Sequence, residues 1–158
     1  MIRCGFRLFL IGVKNTVAHQ VVLKIYWPIV TLADGLIMNI KTSESVAANL
    51  RMPHSPRWFD GELYCLLSAT GEVVKINREN GTYDVITTVS GFLRGMDKIG
   101  DYLFVGLSKL RENASTFRDL PITKKAVHCG VEIIHLPTGN PVGHIKYESS
   151  VEDFYDVK

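Results

Sequence analysis

The 158-residue chain reads as an all-β protein, and more narrowly as a partial β-propeller of about three four-stranded blades. Three observations predict this. Nearly every clear pattern is a short apolar or alternating run bounded by turn residues. The runs recur at about 40 residues, the spacing of a propeller blade. One hairpin signature occurs three times. A β-sandwich also uses short strands and is the alternative, but it does not require a repeated hairpin.

The first hairpin begins with GLIMNI over Gly35–Ile40, followed by a polar turn at Thr42–Glu44 and a second strand. The second begins with EVVKI over Glu72–Ile76, turns at Asn80-Gly81 and returns over Tyr83–Val89, a run rich in β-formers. The third begins with VEIIHL over Val131–Leu136, turns at Thr138-Gly139 and returns over Val142–Tyr147. A further strand follows each of the first two. ELYCLL over Glu62–Leu67, after Asp60-Gly61, is expected to close the first unit. YLFVGL over Tyr102–Leu107, after Gly100-Asp101, is expected to close the second. The third unit stops at Lys158, before its matching strand. Only Ile122–Val127 and its flanks carry a weak helical pattern.

Composition excludes several classes. With 46% hydrophobic and 22% charged residues, the chain is not disordered. A net charge of +2 is too mild to imply nucleic acid or a membrane as partner. Cys4, Cys65 and Cys129 are odd in number and form no CxxC pair. A reducing, cytoplasmic setting is therefore the expectation. The basic and apolar start is interrupted by Arg7 and ends at Lys14 without a small-residue cleavage site, unlike a secretory signal. The next apolar run, Val21–Leu32, is broken by Lys24 and Pro28 and is too short to span a bilayer.

Several blocks carry a resemblance. They are Met52-Pro-His-Ser-Pro-Arg-Trp58, Gly91-Phe-Leu-Arg-Gly95, Val105-Gly-Leu-Ser-Lys-Leu-Arg111, Cys129-Gly-Val131 and Val151-Glu-Asp-Phe-Tyr-Asp-Val157. In order and spacing they resemble a family of conserved hypothetical bacterial proteins, catalogued as a domain of unknown function. The resemblance implies a propeller-like fold, with tetratricopeptide repeats in some members, and no established reaction. It runs from about Ala33 to Val157. Residues 1–32 form a poorly matched segment, and residues 33–158 an incomplete propeller-like domain. Family members are about twice as long, which implies a truncated or rearranged gene. An unclosed array leaves sheet edges uncovered, and self-association, a longer protein or the first 32 residues are expected to cover them.

In a propeller the innermost strand of each blade lines the axial channel. The stretch between each hairpin and the next strand supplies it. His54 lies 19 residues after Gly35, Arg94 lies 23 after Gly71, and Glu152 lies 22 after Gly130. His54, Arg57, Arg94 and Glu152 are thus expected to converge. Two guanidinium forks suit a carboxylate or phosphate. The bland reading is an inter-blade ion pair between Arg94 and Glu152, with His54 bonded to a neighbouring loop. The segment Ser108–His128 interrupts the repeat and is basic, with Lys109, Arg111, Arg118, Lys124 and Lys125. Lys109 and Arg111 join the expected anion-binding set, as a loop over the channel.

His54 has the chemistry of a general base, but Ser55 and Ser108 lie in no nucleophile motif. On an extended strand His54 and Ser55 point to opposite faces. No cofactor is expected. The alternative is a divalent metal such as Ca²⁺ on Glu152 and Asp153, in a propeller hydrolase of lactonase type. Asp156 belongs to the same acidic cluster. His128, Cys129 and His135 match no zinc spacing. The expectation is a non-catalytic binding or scaffold module for a small anion or a protein partner. The hydrolase and a non-functional gene fragment are the other readings.

Overall fold

A computed structural model describes residues 35–109, 122–124, 128–147 and 156–158, together with the backbone of 19–23. The described residues are all-β. Strands β1 (His19–Leu23), β2 (Gly35–Asn39) and β3 (Glu44–Leu50) form the first sheet, in that order. Strands β4 (Pro53–Phe59), β5 (Glu62–Leu67), β6 (Glu72–Ile76) and β7 (Tyr83–Thr88) form the middle sheet. Strands β8 (Phe92–Ile99), β9 (Tyr102–Ser108), β10 (Cys129–His135) and β11 (Asn140–Tyr147) form the last sheet. Every pairing is antiparallel between sequence neighbours. Such meanders are compatible with blades or with a sandwich.

The grouping of strands differs from the sequence expectation in one respect. The strand at Glu62–Leu67 does not close the first unit. It pairs with β4 and β6 inside the middle sheet. The reason is β4, which pairs with β5 and draws it into the middle sheet. Pro53 and Pro56 are tolerated because β4 is an edge strand, where a missing N–H leaves no ladder bond unmade. It turns into β5 through Asp60-Gly61, both with positive φ (49° and 83°), as a two-residue primed hairpin demands. Tyr102–Ser108 likewise lies within the last sheet, paired with β8 and β10. Residues 122–124 form a turn rather than a helix, and 125–127 lie outside the described residues.

The core divides at the middle sheet, because alternate residues of a strand face opposite ways. Leu63, Cys65 and Leu67 of β5 join Val74 and Ile76 of β6, with Ile37, Ala47 and Leu50 of the first sheet. Tyr64 and Leu66 of β5 join Val73 of β6, with Leu93, Met96, Leu103, Val105, Leu107 and Ile134 of the last sheet. The middle sheet is therefore buried on both faces, which explains its nearly unbroken apolar run in β5. Among the described residues, no helix is long and apolar enough to cross a membrane.

Candidate functional site at the seam between β4 and β8

The first strands of the middle and last sheets, β4 and β8, lie side by side, and each is bulged. Across from β5, His54 pairs with Leu66 and Arg57 with Tyr64, so Ser55 and Pro56 stand opposite one residue. Across from β9, Arg94 pairs with Gly106 and Met96 with Val105, so Gly95 is the extra residue. The residue after His54 and the residue after Arg94 both take positive φ, 47° at Ser55 and 30° at Gly95. His54 and Arg94 each stand five residues before the last residue of their strand. The two residues hold matching positions on β4 and β8. Bulges bend a strand and re-aim its side chains, and they gather next to sites. They also break strict alternation, so the opposite-face expectation for His54 and Ser55 does not apply at this point.

Gly95 is required by its surroundings. A Cβ there would collide with the backbone of Asp156 and Val157. The close approach seats residues 156–158 against the β8 bulge. From that seat Asp156 reaches across to β4. Arg57 Nη2 donates to Asp156 Oδ1 at 2.9 Å and Oδ2 at 3.1 Å. The other terminal nitrogen, Arg57 Nη1, is buried and has no hydrogen-bond partner among the described residues. Lys98 on β8 pairs with Asp60 in the β4–β5 turn at 2.6 Å. Behind the seam, the buried Ser68 hydroxyl donates to Leu93 O at 2.6 Å.

His54 and Arg94 meet over one ring. The imidazole stands edge-on to Phe92, 6.1 Å between centroids, and the Arg94 guanidinium lies 4.8 Å from the Phe92 centroid. Burial strips water from the imidazole, and the positive Arg94 adds to the effect. Together they lower the His54 pKa to about 3. His54 is therefore neutral at pH 7 and a weak base. The Cys65 thiol donates to His54 O at 3.4 Å, and burial pushes its pKa up to about 12. It carries no thiolate at neutral pH, so it is a structural cysteine rather than a nucleophile.

Of the residues expected to converge, His54 and Arg94 meet at the Phe92 ring, while Arg57, on the same strand as His54, reaches Asp156. Lys109 is exposed just past Ser108, which pairs with Phe92, so it stands at the same end of the last sheet. Its backbone N–H donates to Cys129 Sγ at 3.4 Å. Arg111, Glu152 and Asp153 lie outside the described residues, as does the expected Arg94–Glu152 ion pair. The pairing of Arg57 with Asp156 occupies one of the two guanidinium groups in part, where the sequence offered two forks. Sequence reasoning placed Asp156 in an acidic cluster and missed this partner. It also passed over Phe92, although Gly91-Phe-Leu-Arg-Gly95 contains both the ring and Arg94. Among the described residues, no group of three or more His, Cys, Asp or Glu is placed to hold a metal ion. His135 is bonded through Nδ1 to Thr138 Oγ1 at 2.9 Å and lies against Tyr102.

A family model described as Domain of unknown function (DUF4915) matches residues 21–158, beginning upstream of Ala33. No curated protein matches the chain.

Proposed function

The chain belongs to the DUF4915 family of unknown function, and on that premise we propose that it is a non-catalytic binding or scaffold module for a small anion. In this reading the three sheets are consecutive blades of a propeller-like array, in a cytoplasmic protein. The meander order, the matched bulges of β4 and β8, and the two free, buried cysteines Cys65 and Cys129 support it. The ligand is a carboxylate or phosphate held at the seam by Arg57 and Arg94, with neutral His54 beside it.

One observation carries the reading. Arg57 Nη1 is a buried donor of a permanently charged group, without a hydrogen-bond partner among the described residues. A buried N–H left unbonded costs about 1–3 kcal/mol. An oxyanion arriving there offsets that cost. Asp156 pairs with one guanidinium through Nη2, and Arg94 brings a second guanidinium to the seam. A His54 held neutral and a Cys65 thiol held protonated favour binding over catalysis.

Thermal unfolding in inorganic phosphate, citrate or chloride tests the proposal at matched ionic strength. A ligand at 100 times its Kd stabilises the folded state by about 2.7 kcal/mol, a shift of several degrees. Phosphate or citrate should raise the Tm beyond chloride, and Arg94→Ala should abolish the difference while the far-ultraviolet dichroism is kept. A shift of the same size in Arg94→Ala, or none in the parent chain, would sink the proposal.

A further inference from the structure

The three sheets share a device on their outer strands that neither the seam nor the family match explains. In each, the last strand carries a one-residue bulge. Val46 is the extra residue of β3, between Ser45 (opposite Met38) and Ala47 (opposite Ile37). Ile86 is the extra residue of β7, between Val85 and Thr87. Val142 is the extra residue of β11, between Pro141 and Gly143.

Each outer hairpin also shares one turn. The N–H of Ser43 donates to Asn39 O at 2.8 Å, that of Gly81 to Asn77 O at 2.9 Å, and that of Gly139 to His135 O at 2.9 Å. All three donors have left-handed φ, 60°, 73° and 69°.

The turn of one sheet seats on the bulge of the sheet before it. At Gly81 an added Cβ would lie 3.1 Å from Val46 O, and at Gly139 it would lie 2.6 Å from Ile86 O. The same contact thus joins the first sheet to the middle one and the middle sheet to the last. Val46 and Ile86 are partly buried beneath these turns, and both pack against the core. Val142 is 57% exposed, with Ile145 at 50% beside it. The turn at Asn39–Ser43, which has no earlier sheet to meet among the described residues, is exposed at Ser43.

We infer that the Val142 bulge is an interface for a second copy of this chain, which seats its Asn39–Ser43 turn there as Gly81 and Gly139 seat theirs. The occupant follows from the two contacts already in the chain, because an unused bulge and an unused turn are their complementary halves. A serine fits the spacing of the Gly81 contact, where a Cβ would lie 3.1 Å from the facing carbonyl, rather than that of the tighter Gly139 contact at 2.6 Å, and its hydroxyl can donate to that carbonyl. The contact is head-to-tail, and such contacts close into rings when the rotation permits.

Light scattering and cysteine cross-linking of the full 158-residue chain test the inference. The chain should run as a discrete dimer at twice 17.7 kDa, and Val142→Asp should run as a folded monomer with unchanged far-ultraviolet dichroism. Chains carrying Ser43→Cys and Val142→Cys should cross-link when mixed under mild oxidation, and neither should do so alone. A parent chain that runs as a monomer or as any species other than a dimer overturns the inference. So does a dimer that Val142→Asp leaves intact or that fails to cross-link at this pair.

Discussion

The middle and last sheets have the same four-stranded order and the same bulged first strand, yet they differ in what covers them. The middle sheet has a core cluster on each face, and its outer bulge at Ile86 lies under a neighbouring turn. The last sheet shares one of those clusters but leaves Val142, Ile145 and Tyr147 exposed on β11. Equal sheets in unequal surroundings separate what a blade needs for its own hydrogen bonds from what it needs from neighbours. Strand pairing is complete within each sheet. Stability comes from the faces, and the exposed side chains of β11 are where the proposed second copy would seat.

The largest effect follows from that contrast. Leu66 on β5 is fully buried between the middle and last sheets. Leu66→Ala should cost about 2–5 kcal/mol by lost burial and a residual cavity. Ile99, 69% exposed at the end of β8, should lose less than about 0.5 kcal/mol on the same truncation. Urea unfolding of both variants measures the difference. Similar losses at both sites would break the comparison.

The next effect depends on pH. The His54 pKa is about 3 in the folded chain and near the ordinary imidazole value of 6.5 when unfolded. Below pH 6.5 the unfolded chain takes up a proton that the folded chain refuses. The stability is complete above that pH and is lost as pH falls towards 3, by up to about 1.4 kcal/mol per unit. His54→Gln should flatten this loss between pH 6.5 and 4.5, above the range where most carboxylates titrate. Parallel pH profiles for variant and parent would show that His54 is not held neutral at the seam.

A smaller effect compares two of the equivalent turns. Gly139→Ala places a Cβ against Ile86 O at a φ of 69°, and should cost about 1–3 kcal/mol. Ser43→Ala removes only an exposed hydroxyl from a residue that already tolerates this φ, and should cost less than about 0.5 kcal/mol. Thermal unfolding at a protein concentration low enough for both variants to be monomeric sharpens the comparison. A loss at Ser43 equal to that at Gly139 would mean the seat of the turn has no bearing on its cost.

Much of this architecture was legible in the residues. The hairpins at Gly35, Glu72 and Val131 announce themselves by apolar runs and turn residues, and spacing alone singled out His54 and Arg94, which stand at matching positions on β4 and β8. The pairing of β4 was hidden because Pro53 and Pro56 argue against a strand, while edge position and a bulge remove the objection. The Arg57–Asp156 ion pair spans 99 positions, so no local pattern records it. It depends on Gly95 lacking a side chain, which only the packed backbone reveals. The outer bulges were equally silent, since Val46, Ile86 and Val142 are ordinary strand formers in sequence.

The most direct measurement is amide hydrogen exchange of β7 and β11 as protein concentration is varied. The turn that covers β7 comes from the same chain, so protection over Tyr83–Thr88 should not change with concentration. Protection over Asn140–Tyr147 should rise as the second copy seats on the Val142 bulge. Equal, concentration-independent exchange in both strands would contradict the account.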